Sequence, residues 1–318
     1  MKIILQECGE IYRLFIDGWN KFWFTAIDPA MLGLLRILAG TMVFYTHLVW
    51  SKQLTRFFGE DGWLPVEQSR LFNNDSPYAW SYLYWIHDDT LLWIAHVIAL
   101  VVLFMFAVGL FTRVTSVLAV LITISYANRA AGTLFGLDQI NGLLVLYLAV
   151  GPSGAAYSLD RLIARWRGRA GASCQSVLAN IATRLIQLHM CIIYLFAGTG
   201  KLLGPSWWNG EAIWGSVASY EYQSMDLVWL VHYPVLVNLL THLTVAFELS
   251  YSALVWPRIT RPLVILTAIG LHLGIAFGMG MMTFGTIMII ANLAFVSPRL
   301  VRALIDENLA RLGKSGAS

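Results

Sequence analysis

The chain has 318 residues, of which 58% are hydrophobic and 12% are charged, and its net charge is +3. Its mean hydropathy is +0.66. A soluble protein of this size needs far more charge to cover its surface, so the composition excludes a water-soluble domain. Apolar stretches near the length of a membrane span recur throughout, which predicts an all-α polytopic membrane protein in one domain, 1–318. Its main partner is then the lipid bilayer, and no nucleic-acid partner is expected.

The N-terminal segment is amphipathic and rich in aromatic residues. Residues 11–26 read IYRLFIDGWNKFWFTA and predict an interfacial helix that lies on the membrane. About eight transmembrane helices should follow. We place them at about 31–50, 92–111, 114–130, 141–158, 185–203, 234–256, 262–282 and 284–298. The third and eighth are short, and 299–318 should form a cytoplasmic tail.

Lysine and arginine are distributed unevenly over the predicted loops. With the N terminus in the cytoplasm, fifteen of the 21 basic residues lie inside and four, Lys52, Arg56, Arg70 and Arg129, lie outside. The positive-inside rule therefore predicts that both termini are cytoplasmic. The long loops 51–91 and 204–233 then lie outside. They are aromatic and acidic, as expected of loops that cover a functional site, or of an aromatic belt at the headgroups.

Two opposite charges lie inside predicted spans. Arg36, in LGLLRILAG, is about a turn and a half from the inner end of the first span. Glu248, in HLTVAFELSY, lies toward the inside of the sixth. An unpaired charge at such depth costs on the order of 3 kcal/mol. The matched depths predict an Arg36–Glu248 ion pair that joins the two helices.

Four histidines, His47, His189, His242 and His272, lie on four different spans. They either line a shared cavity or each make an ordinary interhelical hydrogen bond. No metal-binding spacing occurs among the histidines and cysteines, so no metal is predicted. His272 is the best candidate for a catalytic role because it lies mid-membrane, and His242 is a candidate for substrate binding.

Asn141 and Lys201 both lie near the outer ends of spans. Asn141 either caps the fourth span together with Asp138 or binds substrate. Lys201 follows the small residues AGTG and precedes Trp207 and Trp208, about 25 Å along its helix from Arg184. It either extends to the headgroups or, beneath a hydrophobic outer cover, loses solvation and serves as a general base. The two tryptophans are candidates for substrate binding.

The segment around Lys201, YLFAGTGKLLGPSWWNGEAI, resembles the HTTM family, the membrane domain shared with vitamin K-dependent γ-carboxylases. Further segments along the chain resemble the family and occur in the same order as in the family. They are LGLLRI, DQIN, GAAYSLD, RLIQLHMCIIY, FELSY, LHLGIAFGMG and F…NLAFVSP. The resemblance covers about residues 25–298.

The resemblance implies a chemistry for Lys201. In the carboxylases a lysine in this segment deprotonates a vitamin K-like quinol. Oxygen converts the quinol to an epoxide, and the base so formed abstracts a proton from a peptide glutamate, which takes up CO2. The implied cofactors are a quinol, O2 and CO2, and the implied location is the bacterial inner (plasma) membrane with the functional face outward. The carboxylases carry histidine where this chain has Gly142, so the carboxylation half-reaction lacks that group.

Three functions agree with these features. The first is a carboxylase-like enzyme that uses a quinol, a secreted peptide, or both. The second is a non-enzymatic factor for maturation of, or immunity to, a peptide toxin. The third is a lipid- or quinone-binding membrane protein without turnover.

Overall fold

The computed structural model describes residues 2–73, 76–169, 175–222 and 224–315, with side chains described for 6–306. Helices account for most of this part of the chain. They are α1 Lys2–Phe24, α2 Ala30–Trp50, α3 Leu54–Phe58, α4 Val66–Phe72, α5 Asp89–Val108, α6 Thr112–Arg129, α7 Gly136–Val150, α8 Leu159–Trp166, α9 Val177–Lys201, α10 Pro205–Trp208, α11 Ala212–Val217, α12 Pro234–Leu254, α13 Arg261–Gly278, α14 Met282–Asn292 and α15 Pro298–Ser315. The described ranges contain no β-strand beyond an isolated bridge between Ile27 and Ser176. The all-α prediction is confirmed.

All eight predicted apolar stretches form helices, but they do not all qualify as spans. Five helices, α2 with its continuation to Phe58, α5, α9, α12 and α13, are long and apolar enough to cross a membrane by length and composition. A sixth arises if Met282–Phe295 and Pro298–Asp306, which bend by 109°, form one broken span. Helix α7 is apolar but has only 15 residues. Helix α6 carries buried hydroxyl side chains and is not among the five.

The short helices α7 and α14 lie at the centre of the bundle. Helix α7 packs against α2, α6, α9 and α14, and α14 packs against α2, α7, α9 and α13. Helices α5 and α12 complete the layers by packing on α2 and α9. A helix surrounded by protein does not have to cross the full hydrocarbon layer, because its neighbours shield its ends from lipid.

Both ends of the described chain dock on the bundle at one place. Helix α1 begins at Lys2, earlier than predicted, and its last turn packs on α9, where Asn180 donates hydrogen bonds to the carbonyls of Phe22 and Trp23. The predicted tail is largely helix α15 instead. Arg302 on α15 donates two hydrogen bonds, of 3.0 and 3.1 Å, to Asp28, which lies just before the start of α2.

Candidate functional site

Lys201 is the last residue of α9, and its partner is Glu248 on α12. The lysine Nζ donates a hydrogen bond to Oε1 at 2.9 Å and lies 2.7 Å from Oε2. The two side chains are 22% and 9% exposed, so the pair is mostly withdrawn from solvent. Gly198, in the AGTG segment, packs against Leu249 and brings the two helices together.

The predicted Arg36–Glu248 ion pair is therefore wrong. Arg36 is fully buried, and its guanidinium donates to backbone carbonyls, at 2.7 Å to Ser153 and 2.5 Å to Tyr157, with longer contacts to Ala107 and Ala156. Ala107 lies in the last turn of α5, which is followed by Gly109 with a φ of +74°, and the last carbonyls of a helix have no partner within the helix. Ser153, Ala156 and Tyr157 belong to the segment between α7 and α8. The partial negative charge of these carbonyls favours the guanidinium, and Asp160 adds an electrostatic attraction.

A chain of buried hydrogen bonds runs beside the Lys201–Glu248 pair. Asn292 donates from Nδ2 to the Met288 carbonyl at 2.8 Å, which fixes the orientation of its amide because a carbonyl only accepts. Its Oδ1 then accepts from the Tyr251 hydroxyl at 2.7 Å, and Nδ2 also donates to the Tyr194 hydroxyl at 3.0 Å. Tyr194 stacks on Tyr251 with ring centroids 3.9 Å apart.

This chain sets the tautomer of His272. The Tyr194 oxygen already accepts a hydrogen bond from Asn292, so its own hydroxyl hydrogen is directed to His272 Nε2, 2.8 Å away. A neutral imidazole that accepts at Nε2 carries its proton on Nδ1. The Nδ1 atom is buried and has no hydrogen-bond partner among the described residues. A buried donor without a partner is unusual in folded proteins and indicates a missing ligand or water.

The pair and the hydrogen-bond chain form one cluster. Tyr194 packs edge-on against Phe247, the residue before Glu248, and lies close enough to Glu248 to feel its charge, as His272 does that of Lys201. Trp207 covers the lysine, with Nζ 5.1 Å from the ring centroid, which is within range of a cation–π contact. We call Lys201, Glu248, His272, Tyr194 and Trp207 the lysine cluster.

Three predicted substrate-binding residues lie apart from the lysine cluster or face outward. Trp208 is 64% exposed and donates to the Leu202 carbonyl. His242 is exposed and bonds to the Asn238 carbonyl of its own helix. Asn141 is buried on α7 rather than capping it, and its Oδ1 has no hydrogen-bond partner among the described residues. Asp138 is the residue that caps α7, by accepting from the Phe135 backbone amide.

A family comparison bears on this arrangement. The HTTM domain model matches residues 24–299. The chain belongs to the HTTM domain family. The match agrees with the region predicted from the resemblance, about 25–298, and contains every residue of the lysine cluster. This HTTM chain matches no curated protein and no solved structure.

Sequence reasoning missed Tyr194, Tyr251 and Asn292 within this HTTM domain. Each is a polar side chain inside an apolar stretch, and each lies in a segment already singled out: RLIQLHMCIIY, FELSY and F…NLAFVSP. Intramembrane polar groups need partners, so the pattern of isolated Tyr and Asn residues in these segments was the available signal.

A second polar cluster of the HTTM domain joins α2, α5 and α6. His96 Nδ1 lies 2.6 Å from the Tyr126 hydroxyl, and its Nε2 lies 2.8 Å from Ser51 Oγ. His47 packs edge-on against Tyr126 and bonds to the Val43 carbonyl.

His189 is separate and bonds to Tyr147. The four histidines singled out in the sequence thus do not line one cavity. Sequence reasoning did not single out His96, which belongs to a structural hydrogen-bond cluster. Among the side chains described, no group of three or more His, Cys, Asp and Glu is placed to hold a metal ion.

Proposed function

We propose that this HTTM protein is a carboxylase-like membrane enzyme that acts on a quinol, a peptide, or both at the outer membrane face, with the Lys201–Glu248 pair as the base. One observation carries the proposal. The lysine cluster holds a buried donor without a partner among the described residues, His272 Nδ1, beside the Lys201–Glu248 ion pair. The oxygen of a hydroxyl-bearing substrate supplies an acceptor for His272, and the hydroxyl proton can pass to the pair.

The proton count of the pair defines the role of each residue. The pair of an ammonium and a carboxylate holds one exchangeable proton and has no net charge. When a substrate hydroxyl gives up its proton, the pair takes a second proton at Glu248 and becomes positive, which stabilises the substrate oxyanion beside it. Lys201 passes its ammonium proton to Glu248 and its neutral amine takes the substrate proton, so the positive charge ends on Lys201 and the second proton on Glu248, while His272 donates to the oxygen. A quinol would be the substrate of the oxidation by O2 that the family resemblance implies.

The proposed location is the bacterial plasma membrane, with both termini in the cytoplasm. The Arg302–Asp28 contact supports a common side for the two ends of the chain, because it joins α15 to the segment after α1. The arginines of α8 and α15 then face the cytoplasm as the positive-inside rule requires, and the loop that carries Trp207 faces outward.

The first experiment identifies the ligand. Native mass spectrometry of the detergent-purified protein should show a retained quinone or peptide. Reconstitution with a reduced naphthoquinone should then give oxygen consumption above that of empty vesicles. A quinone that is retained but never consumed would support the binding protein without turnover and overturn the enzyme.

The second experiment tests the pair. Lys201→Arg keeps a cation beside Glu248 and should fold normally, whereas arginine does not exchange its proton near neutral pH. Glu248→Gln removes the carboxylate that receives the proton. We expect each to lower quinol-dependent oxygen uptake at least about a hundredfold, the lower range for general base catalysis. Wild-type uptake by both variants would contradict the proposed base.

A further inference from the structure

Arg129, the last residue of α6, is a buried cation whose hydrogen bonds are only partly satisfied by the described residues. It is 1% exposed. Its Nη2 donates to the Phe58 carbonyl at 3.2 Å, and its Cζ lies 5.6 Å from the centroid of the Phe58 ring. Its Nε and Nη1 are buried and have no hydrogen-bond partner among the described residues, and no carboxylate of that part of the chain forms a salt bridge with it.

The carbonyls at the C terminus of α6 are bonded to other side chains. The Asn128 carbonyl accepts from Asn73 Nδ2 at 2.8 Å and from the Tyr84 hydroxyl at 3.0 Å, and the Arg129 carbonyl accepts from Ser69 Oγ at 2.8 Å. A cation at the end of a helix is often held by such carbonyls. Here the carbonyls already have donors, so they leave Nε and Nη1 of the guanidinium unpaired.

Arg36 shows how the same bundle satisfies a buried arginine from its own chain. Its guanidinium donates to four carbonyls and is attracted by Asp160. A guanidinium keeps its proton near neutral pH, and a buried charge without a partner is strongly unfavourable. Water can accept hydrogen bonds from Arg129 but does not neutralise its charge. The contrast with Arg36 therefore indicates an anionic partner for Arg129.

The geometry around Arg129 selects the class of anion. The Phe58 ring lies over the guanidinium, so a ligand reaches the unpaired N–H groups in the plane of the group. A planar oxyanion matches this direction because its two oxygens can accept two parallel hydrogen bonds, whereas a halide offers a single point. One buried positive charge is balanced by one negative charge, which favours a carboxylate over a divalent ion such as sulfate.

We propose that Arg129 binds a small monovalent carboxylate-type oxyanion at the end of α6, beside α3 and α4. Phe58 on α3 supplies the ring and carbonyl that hold the guanidinium in place, and Ser69 on α4 anchors the helix end. The ligand is small because both unpaired nitrogens are buried. This site is separate from the lysine cluster, which lies on α9, α10, α12 and α13, and does not depend on the proposed reaction.

The test uses the full chain, purified in detergent near neutral pH, with sodium chloride replaced stepwise by sodium acetate at constant ionic strength. The midpoint of thermal unfolding should rise with acetate and level off, because a ligand that binds the folded state stabilises it. The 13C NMR line of carboxyl-labelled acetate should broaden in the presence of the protein. A rise that is equal in all variants described below would be a general salt effect and would overturn the proposal.

Three variants separate the site from such an effect. Arg129→Met should abolish the acetate-dependent rise and the line broadening, and in chloride it should be at least as stable as the wild type, because it removes a buried charge. Arg129→Lys keeps the charge without the planar fork and should weaken acetate binding about tenfold, the equivalent of one charge-assisted hydrogen bond. Arg70→Met is the matched control, since Arg70 is an exposed arginine over the Tyr84 ring, and it should leave both measurements unchanged.

Two other partners of Arg129 give different results. If water alone satisfies the guanidinium, the wild-type protein will neither broaden the acetate line nor respond to acetate in thermal unfolding, and the proposal fails. Asp75 lies outside the described residues, and Asp75→Asn should leave acetate binding unchanged. Tighter acetate binding by Asp75→Asn would identify Asp75 as the counter-ion of Arg129 and overturn the proposal.

Discussion

Replacing Lys201 with methionine should destabilise the folded protein by about 3 kcal/mol. The change removes the only cation that contacts Glu248 in the described structure, at 2.7 and 2.9 Å, and leaves a carboxylate that is 9% exposed without a partner. Breaking a buried ion pair costs about 3–5 kcal/mol. The lower value applies because the lysine itself is 22% exposed, so solvent already screens part of the interaction.

The pairing is measured by a double-mutant cycle in detergent. Thermal unfolding, followed by fluorescence-detected size exclusion, compares Lys201→Met, Glu248→Leu and the double variant. Removing both charges should recover most of the loss, because apolar replacement of a whole buried pair is often neutral or stabilising. Lowering the pH should also partly rescue Lys201→Met, since the orphaned carboxylate can take a proton. Lys52→Met, an exposed site in a loop helix, is the matched control and should stay within about 0.5 kcal/mol of wild type. If the double variant equals the sum of the singles, the two residues are not coupled and the reasoning fails.

Three further results are expected. Arg36→Met should lower the folded yield strongly, because it leaves buried carbonyls without a donor, and its thermal unfolding should not be rescued by Glu248→Leu. Gly285→Ala should destabilise by about 1–3 kcal/mol through overpacking, since a Cβ there would lie 2.5 Å from a carbonyl of α13; Gly274→Ala, with nothing within 4 Å, is its control. In a cysteine-free background, Tyr220→Cys (96% exposed) should react with an impermeant maleimide on intact cells and Ile259→Cys (93% exposed) only after lysis; the reverse pattern would refute the proposed orientation.

Hydropathy predicted the helices well because each needs a continuous apolar stretch. It did not predict their roles in the bundle. Helix α7 reads like a span but has 15 residues and begins at Gly136, five residues before the predicted start. Burial among four neighbours, rather than contact with lipid, accounts for its composition. A single sequence does not distinguish an apolar face that meets lipid from one that meets protein.

The error over Glu248 has a geometric cause. Gly198 packs against the backbone of Leu249, so these two residues mark one level of the antiparallel helices α9 and α12. From there Lys201 is about 4.5 Å along its helix and Glu248 about 1.5 Å along the other, in the same direction. Their depths therefore agree, whereas counting from the predicted ends of the sixth span placed Glu248 toward the inside. Side chains on a helix lean toward its N terminus, so on these antiparallel neighbours the lysine and the glutamate lean toward each other.

Arg36 and Lys201 differ in what their partners can do with a proton. Arg36 does not release its proton near neutral pH, and the carbonyls around it cannot accept one, so its contacts can only hold α2 against the end of α5 and the segment near Tyr157. Lys201 and Glu248 each have a charged and a neutral form, and they adjoin a histidine whose tautomer is set by Tyr194. A structural role needs only a pairing like that of Arg36 with its carbonyls. The Lys201–Glu248 pairing keeps two groups that can exchange protons in a poorly solvated place. They lie beside His272 Nδ1, a donor without a partner among the described residues. Such an arrangement is costly to maintain for packing alone, which supports the proposed proton transfer to or from a bound hydroxyl.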